Sequence, residues 1–182
     1  SIGNLTALKE IILNNNNLGC YEYDSINRLC TKLCDDTDAC SSKIPNSITN
    51  LENLEILDLR YNYLTEMPFG LEKLSKLKKL RVSNNNINGI LPEEIFEIVT
   101  LVRLDVKFNN FSGSLSESIG NLSELQHLHL SFNEFIGMIP ESICGLSKLN
   151  QVYFNDNNFC PDYPDCLTPQ NIGIQDTTSC SF

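Results

Sequence analysis

The sequence predicts an α/β-type solenoid, and three observations carry that expectation. The first is a beat. Asn62, Asn85, Asn109, Asn133 and Asn157 are spaced 23, 24, 24 and 24 residues apart, and Asn16 lies 46 residues before Asn62, two periods with one count missing. A fixed period of this length marks a coil of stacked repeats. The second is what surrounds each Asn. Six segments, beginning at Leu5, Leu51, Leu74, Ile98, Leu122 and Leu146, share the frame LxxLxxLxLxxNxL. The third is where the cysteines fall. Cys20, Cys30, Cys34 and Cys40 cluster near the start, and Cys144, Cys160, Cys166 and Cys180 near the end.

The LxL centre of the frame alternates with period two, as a short strand with one buried face does. The inward pairs are Ile11/Leu13, Leu57/Leu59, Leu80/Val82, Leu104/Val106, Leu128/Leu130 and Val152/Phe154. No single repeat buries these alone, whereas stacked repeats form one continuous core. The Asn that follows has a structural task. The chain turns inward there, and its backbone groups lack ladder partners. A side-chain amide carries donors and an acceptor, so stacked Asn residues are expected to satisfy the turn backbone and one another.

These features resemble the leucine-rich repeat family. The segments NINGILPEEIFEIVTL, from Asn86, and NEFIGMIPESICGLSKL, from Asn133, are similar to the longer plant-type pattern NxLxGxIPxxIxxLxxL. Ile44-Pro45, Met67-Pro68, Leu91-Pro92 and Ile139-Pro140 hold its IP position, and Gly89, Gly113 and Gly137 its Gly; Leu115-Ser116 departs from it. The resemblance implies a right-handed superhelix with a short parallel sheet on its concave face and irregular or 3-10 segments on the convex side. It also implies interaction as the function, as in receptor ectodomains and inhibitors of secreted enzymes.

In chain order, SIGNLTAL at the start reads like SIGNLSEL from Ser118, so the chain is expected to begin mid-solenoid. Repeat one runs from Leu5 to about Gly19. The acidic segment 19–42 with its four cysteines accounts for the missing beat, and is expected to be a loop closed on itself, projecting from a rim or the convex face. Regular repeats continue to residue 159, giving a solenoid over 1–159. The Pro- and Cys-rich tail, 160–182, is expected to replace a further strand and cap the last apolar edge as a disulfide-stabilised unit. Four cysteines allow three connectivities, of which Cys160–Cys166 with Cys144–Cys180 is the favoured one.

Composition narrows the function classes. The 182 residues are 41% hydrophobic, enough for one domain with a shared core, and no run of about 18 apolar residues is present to span a membrane. The net charge of −10 opposes nucleic-acid binding, which needs a positive field. An even set of eight cysteines indicates disulfides and an oxidising compartment, hence a secreted or cell-surface location. A zinc site is disfavoured because the spacing contains no two CxxC knuckles. Sequons at Asn4, Asn110 and Asn121 fit N-glycosylation. The sequence contains no GxSxG, HExxH, phosphate-binding Gly-rich loop or DxDxDG segment, so neither an enzyme nor a cofactor is expected.

Strand residues that do not point inward form columns on the concave face, with neighbours about 4.8 Å apart. Cations gather on the middle strands at Lys79, Arg81, Arg103 and Lys107, beside Asp58 and Asp105. His127 and His129 share a strand, without an evident third metal ligand. Aromatic side chains stand at Phe108 and Tyr153, with Tyr61 and Phe132 in related positions. Arg and aromatic residues are favoured at interface hot spots. The set Asp58, Lys79, Arg81, Arg103, Asp105, Lys107, Phe108, His127, His129 and Tyr153 is therefore the candidate surface for a protein, peptide or glycan ligand. The alternative is a structural subunit of a surface layer, sheath or filament that self-associates through the solenoid ends and the Cys-rich segment.

Overall fold

The computed structural model describes residues 1–34 and 41–180. Its strands, in chain order, are β1 Glu10–Ile12, β2 Cys20–Asp24, β3 Leu29–Leu33, β4 Ile56–Asp58, β5 Lys79–Arg81, β6 Asn88–Ile90, β7 Arg103–Asp105, β8 Asn110–Ser114, β9 His127–His129, β10 Glu134–Gly137, β11 Gln151–Tyr153 and β12 Asn158–Phe159. Each LxL centre forms one strand of a parallel six-stranded sheet ordered β1-β4-β5-β7-β9-β11. The register follows the sequence frame, so Ile11, Leu57, Leu80, Leu104, Leu128 and Val152 are paired neighbours and all are buried. One expected inward residue departs: Leu13 is 41% exposed. It follows β1, the end strand of the sheet, so a neighbouring repeat covers it on one side only.

The far side of the coil is built from 3-10 turns at Asn46–Asn50, Leu71–Lys73, Glu93–Glu97, Glu117–Asn121 and Glu141–Gly145. Proline precedes three of them at the N-cap, where its fixed φ suits the entry. Repeat four has Ser116 instead. Its hydroxyl accepts from Ser118 N at 3.1 Å and donates to Glu93 Oε1 at 2.8 Å, replacing a conformational restraint with a side-chain cap. The segments after Asn85, Asn109, Asn133 and Asn157 add an element that the repeat frame does not announce. They form a second parallel sheet, ordered β12-β10-β8-β6. Beneath it Phe111, Phe135 and Phe159 stack nearly parallel, with centroids 6.2 and 5.9 Å apart.

The Asn beat is a hydrogen-bond ladder. Asn109 donates from Nδ2 to Val82 O in the previous repeat and Val106 O in its own, and accepts from Ile87 N at Oδ1, all at 3.0 Å. Asn62, Asn85, Asn133 and Asn157 repeat this pattern. The partners are backbone groups of two successive turns rather than other Asn side chains, contrary to the expected mutual bonding. A stacked turn exposes one N–H and two C=O groups at each site, which one amide satisfies completely. Asn16 differs: exposed, it bonds Leu13 O and Asn14 O within its own turn.

The insertion is not structureless. β2 and β3 form an antiparallel hairpin joined by Cys20–Cys30. Gly19 positions it with φ +88°, and a Cβ there would collide with the Tyr63 carbonyl, so the hairpin root packs against the backbone of the next repeat. Cys34 is disulfide-bonded; Cys40 lies outside the described residues.

At the other end, the short helix α1, Pro169–Ile172, is closed by a Thr168/Asn171 capping box. Phe154 N donates to Asn171 O, and Asp156 N to Ile174 O, so the tail pairs with the last repeat without adding a regular strand. Gln175 then takes the ladder position: Nε2 donates to Phe154 O and Ile172 O, and Oε1 accepts from Phe159 N. The disulfides are Cys144–Cys166 and Cys160–Cys180, which corrects the expected pairing. The cause is this return of the chain. Asp176 N donates to Asn157 O, which brings Cys180 back beside Cys160. Replacing Cys144 and Cys166 by Ser is expected to cost about 2–4 kcal/mol, given the closed segment between them. Urea unfolding of the oxidised protein measures it.

Candidate functional site

On the open face of the six-stranded sheet the two non-inward positions of each strand line up by register. One column is Glu10, Ile56, Lys79, Arg103, His127 and Gln151; the other is Ile12, Asp58, Arg81, Asp105, His129 and Tyr153. The structure therefore places the strand-borne members of the candidate set on one continuous face. It does not give them equal access.

Asp58 is only 2% exposed. Arg60 grips it with two bonds, Nε to Oδ1 at 2.8 Å and Nη2 to Oδ2 at 2.7 Å, and Arg81 Nη1 reaches Oδ2 at 3.2 Å. Burial alone would raise this carboxyl, but the bonds from the two guanidiniums outweigh it and hold Asp58 below the usual Asp range. Asp58 thus organises Arg60 and Arg81 rather than meeting solvent. Asp105 is also buried, and its Oδ1 lacks a hydrogen-bond partner among the described residues. Arg60 was absent from the candidate set. Its position two residues after Asp58 contained the signal, since alternate residues lie on one face of an extended chain.

Arg103 and Lys79 are half-buried neighbours, and no ion pair engages either among the described residues. Burial, and then the nearby Arg81 charge, lower the Arg103 pKa from its ordinary value; a guanidinium remains a cation even so. His127 Nδ1 lies 2.8 Å from Gln151 Oε1 in a hydrogen bond. His129 tilts against Tyr153, with ring centroids 4.8 Å apart. Burial lowers the His129 pKa, Asp105 opposes that, and Lys107 and Arg103 add to it. Among the described residues no three His, Cys, Asp or Glu side chains converge as a metal site.

Beyond the strand ends the expected geometry changes. The column Asn14, Arg60, Ser83, Lys107, Ser131 and Asn155 is not uniformly on the surface. Ser83 and Ser131 are fully buried, because their short side chains lie below longer neighbours, and Ser131 donates to Asn155 Oδ1 at 2.6 Å. The next column, Asn15, Tyr61, Asn84, Phe108, Phe132 and Asp156, has φ between 51° and 58° throughout. This left-handed region suits Asn and Asp and costs most other residues about 1 kcal/mol or more. Three of the six repeats place an aromatic there. Phe108 and Phe132 stack at 4.1 Å with planes 11° apart, yet remain 42% and 40% exposed, and Lys107 Nζ lies 5.7 Å from the Phe108 centroid. The face thus combines unpaired cations with a rigid exposed aromatic pair.

The pattern of the family described as leucine-rich repeat region matches residues 32–170. The chain is similar to the crystal structure of PEPR1-AtPEP1, with 33% identity and a TM-score of 0.72, over 87% of this chain and 19% of that one. It is also similar to the plant peptide hormone receptor RGFR1 in complex with RGF2, with 32% identity and a TM-score of 0.69, over 87% of this chain and 26% of that one. A curated relative, the protein flightless-1 homolog of Mus musculus, is 39% identical over 56 residues, which is 31% of this chain and 4% of that protein. The chain spans well under a third of each relative.

Proposed function

The chain belongs to the leucine-rich repeat family, in its plant-type subclass, and from that premise we propose that it is an extracellular, non-enzymatic recognition module that holds a peptide along the open face of its six-stranded sheet. The observation that carries this reading is the exposed Phe108–Phe132 stack on left-handed turns. Asn15, Asn84 and Asp156 occupy the equivalent turns at no such backbone cost. Strained positions that keep large apolar rings in water point to a use for the rings. Arg103, Lys79, Arg81 and Lys107 then supply cationic donors, and His127, His129 and Tyr153 extend the contact area. Asp58 acts beneath them as a positioning group, and the buried Asp105 is not a ligand contact.

Several facts support an extracellular setting: the disulfides, the likeness to a plant peptide hormone receptor and to the ectodomain of a plant membrane receptor kinase, and the exposure of the sequon residues Asn4, Asn110 and Asn121, which we assign as glycosylation sites. Within the module, residues 1–159 recognise and residues 160–182 cap. The test is selection of a displayed random-peptide library on the disulfide-intact chain. Enriched peptides are expected to bind Arg103→Glu at least tenfold more weakly than the parent, as loss of a hot-spot cation does. Equal affinity for both proteins would remove the open face from consideration.

A further inference from the structure

The hairpin that interrupts the repeats encloses a second concavity, separate from the cationic middle of the sheet. Its volume is about 700 Å³, within the roughly 300–1,000 Å³ of small-ligand sites. One wall is the hairpin, contributing Tyr23, Ser25 and Arg28. The opposite wall is the start of the left-handed column, Asn15, Tyr61 and Asn84, together with Tyr63.

The walls are held in place by covalent and backbone restraints. Cys20–Cys30 staples the hairpin, and Tyr63 N donates to Leu18 O at its root. Asp24 closes the tip: its carboxylate accepts from Ile26 N at 2.8 Å, Asn27 N at 3.1 Å and Asn27 Nδ2 at 2.7 Å. Those bonds, the backbone bond from Asn27 foremost, hold the Asp24 pKa below its usual range. The Asp24 carboxylate is thus committed to the turn.

The chemistry of the lining is specific. In a chain of net charge −10, no carboxylate lines this cleft among the described residues. Amides and phenols dominate, with one guanidinium, Arg28, which makes no ion pair among the described residues. Asn84 Nδ2 is buried and lacks a hydrogen-bond partner among the described residues. An amide donates and accepts at once, which matches adjacent hydroxyls that do the same. A half-exposed tyrosine offers an apolar ring face beside a polar tip, which matches the C–H face of a pyranose. An apolar ligand would leave these groups unpaired at about 1–3 kcal/mol each, and a strongly anionic one would find a single cation.

We propose that the cleft between the Cys20–Cys30 hairpin and the Asn15–Tyr61–Asn84 turns is a binding site for a neutral oligosaccharide. The site is independent of the peptide-binding reading, because it shares neither Arg103 nor the Phe108–Phe132 pair.

The experiment uses the full disulfide-bonded chain and five neutral trisaccharides: cellotriose, xylotriose, mannotriose, laminaritriose and triacetylchitotriose. Trigalacturonate is the anionic arm. Saturation-transfer NMR detects binding and calorimetry measures it. The expected result is saturable binding of at least one neutral trisaccharide, weakened tenfold or more in both Tyr61→Asn and Tyr23→Ser. Asn already occupies the Tyr61 position in two other repeats, so Tyr61→Asn preserves the backbone; Tyr23 lies exposed on the hairpin, so its loss leaves the core intact. Phe132→Asn is expected to leave sugar binding unchanged, which separates this site from the open face. Binding of trigalacturonate alone, no saturable binding of any neutral sugar, or equal binding by parent and both variants would each overturn the proposal.

Discussion

Asn133→Ala is expected to destabilise the protein by about 3–5 kcal/mol. Asn133 donates to Val106 O at 3.1 Å and Leu130 O at 3.0 Å, and accepts from Phe111 N at 3.0 Å. All three bonds are buried. Alanine has no atom that reaches any of these groups. Each stranded backbone group then costs roughly 1–3 kcal/mol, less what relaxation or an entering water recovers. Domains of this kind are stable by about 5–15 kcal/mol, so the loss is a large share. Asn16→Ala is the internal control. It shares the beat and the residue type, but its bonds are exposed and local to one turn. That substitution is expected to cost under about 1 kcal/mol. Urea unfolding of both variants decides the matter, and equal losses would show that the ladder is not what makes the Asn necessary.

Phe108→Asn combined with Phe132→Asn is expected to separate stability from recognition. Each Phe occupies a left-handed turn, at φ 51° and 58°. Asn relieves about 1 kcal/mol of backbone cost per site. Removing the stack forfeits about 0.5–1.5 kcal/mol. The two nearly cancel, so the melting temperature should move little or rise slightly. Binding is another matter. If the exposed pair anchors a peptide, its loss removes a hot spot of about 2 kcal/mol or more, at least a 30-fold weakening for peptides selected on the parent chain. A large fall in stability with unchanged affinity would instead assign the rings to packing.

How much of this was legible beforehand depended on whether a feature was periodic. The LxL centres place Leu57, Leu80, Leu104 and Leu128 in register on the core side, as periodicity requires. The same frame orders the face from Lys79 to Tyr153 without any structural information. The second sheet was missed because β6, β8 and β10 contain Gly and polar residues, Asn88-Gly89-Ile90 for example, whose own preferences do not signal a strand. Stacking supplies the partners that make them strands. The aromatic column was visible, but its backbone was not: nothing local to Phe108 announces φ 51°. Asp58 was expected on the open surface, and is buried beneath Arg60 and Arg81 once neighbouring repeats cover it.

The sequence by itself determined the repeat, its register and the location of each interruption, because a repeat states its own neighbours: residues one period apart are adjacent in space. Tertiary structure decided what lacks a period. It set the Cys144–Cys166 and Cys160–Cys180 pairing, the substitution of Gln175 for a further ladder Asn, and the placement of the hairpin over Tyr61. Those outcomes depend on where the chain returns to a surface already formed, and contacts of that kind are specified by the whole coil rather than by any one segment of it.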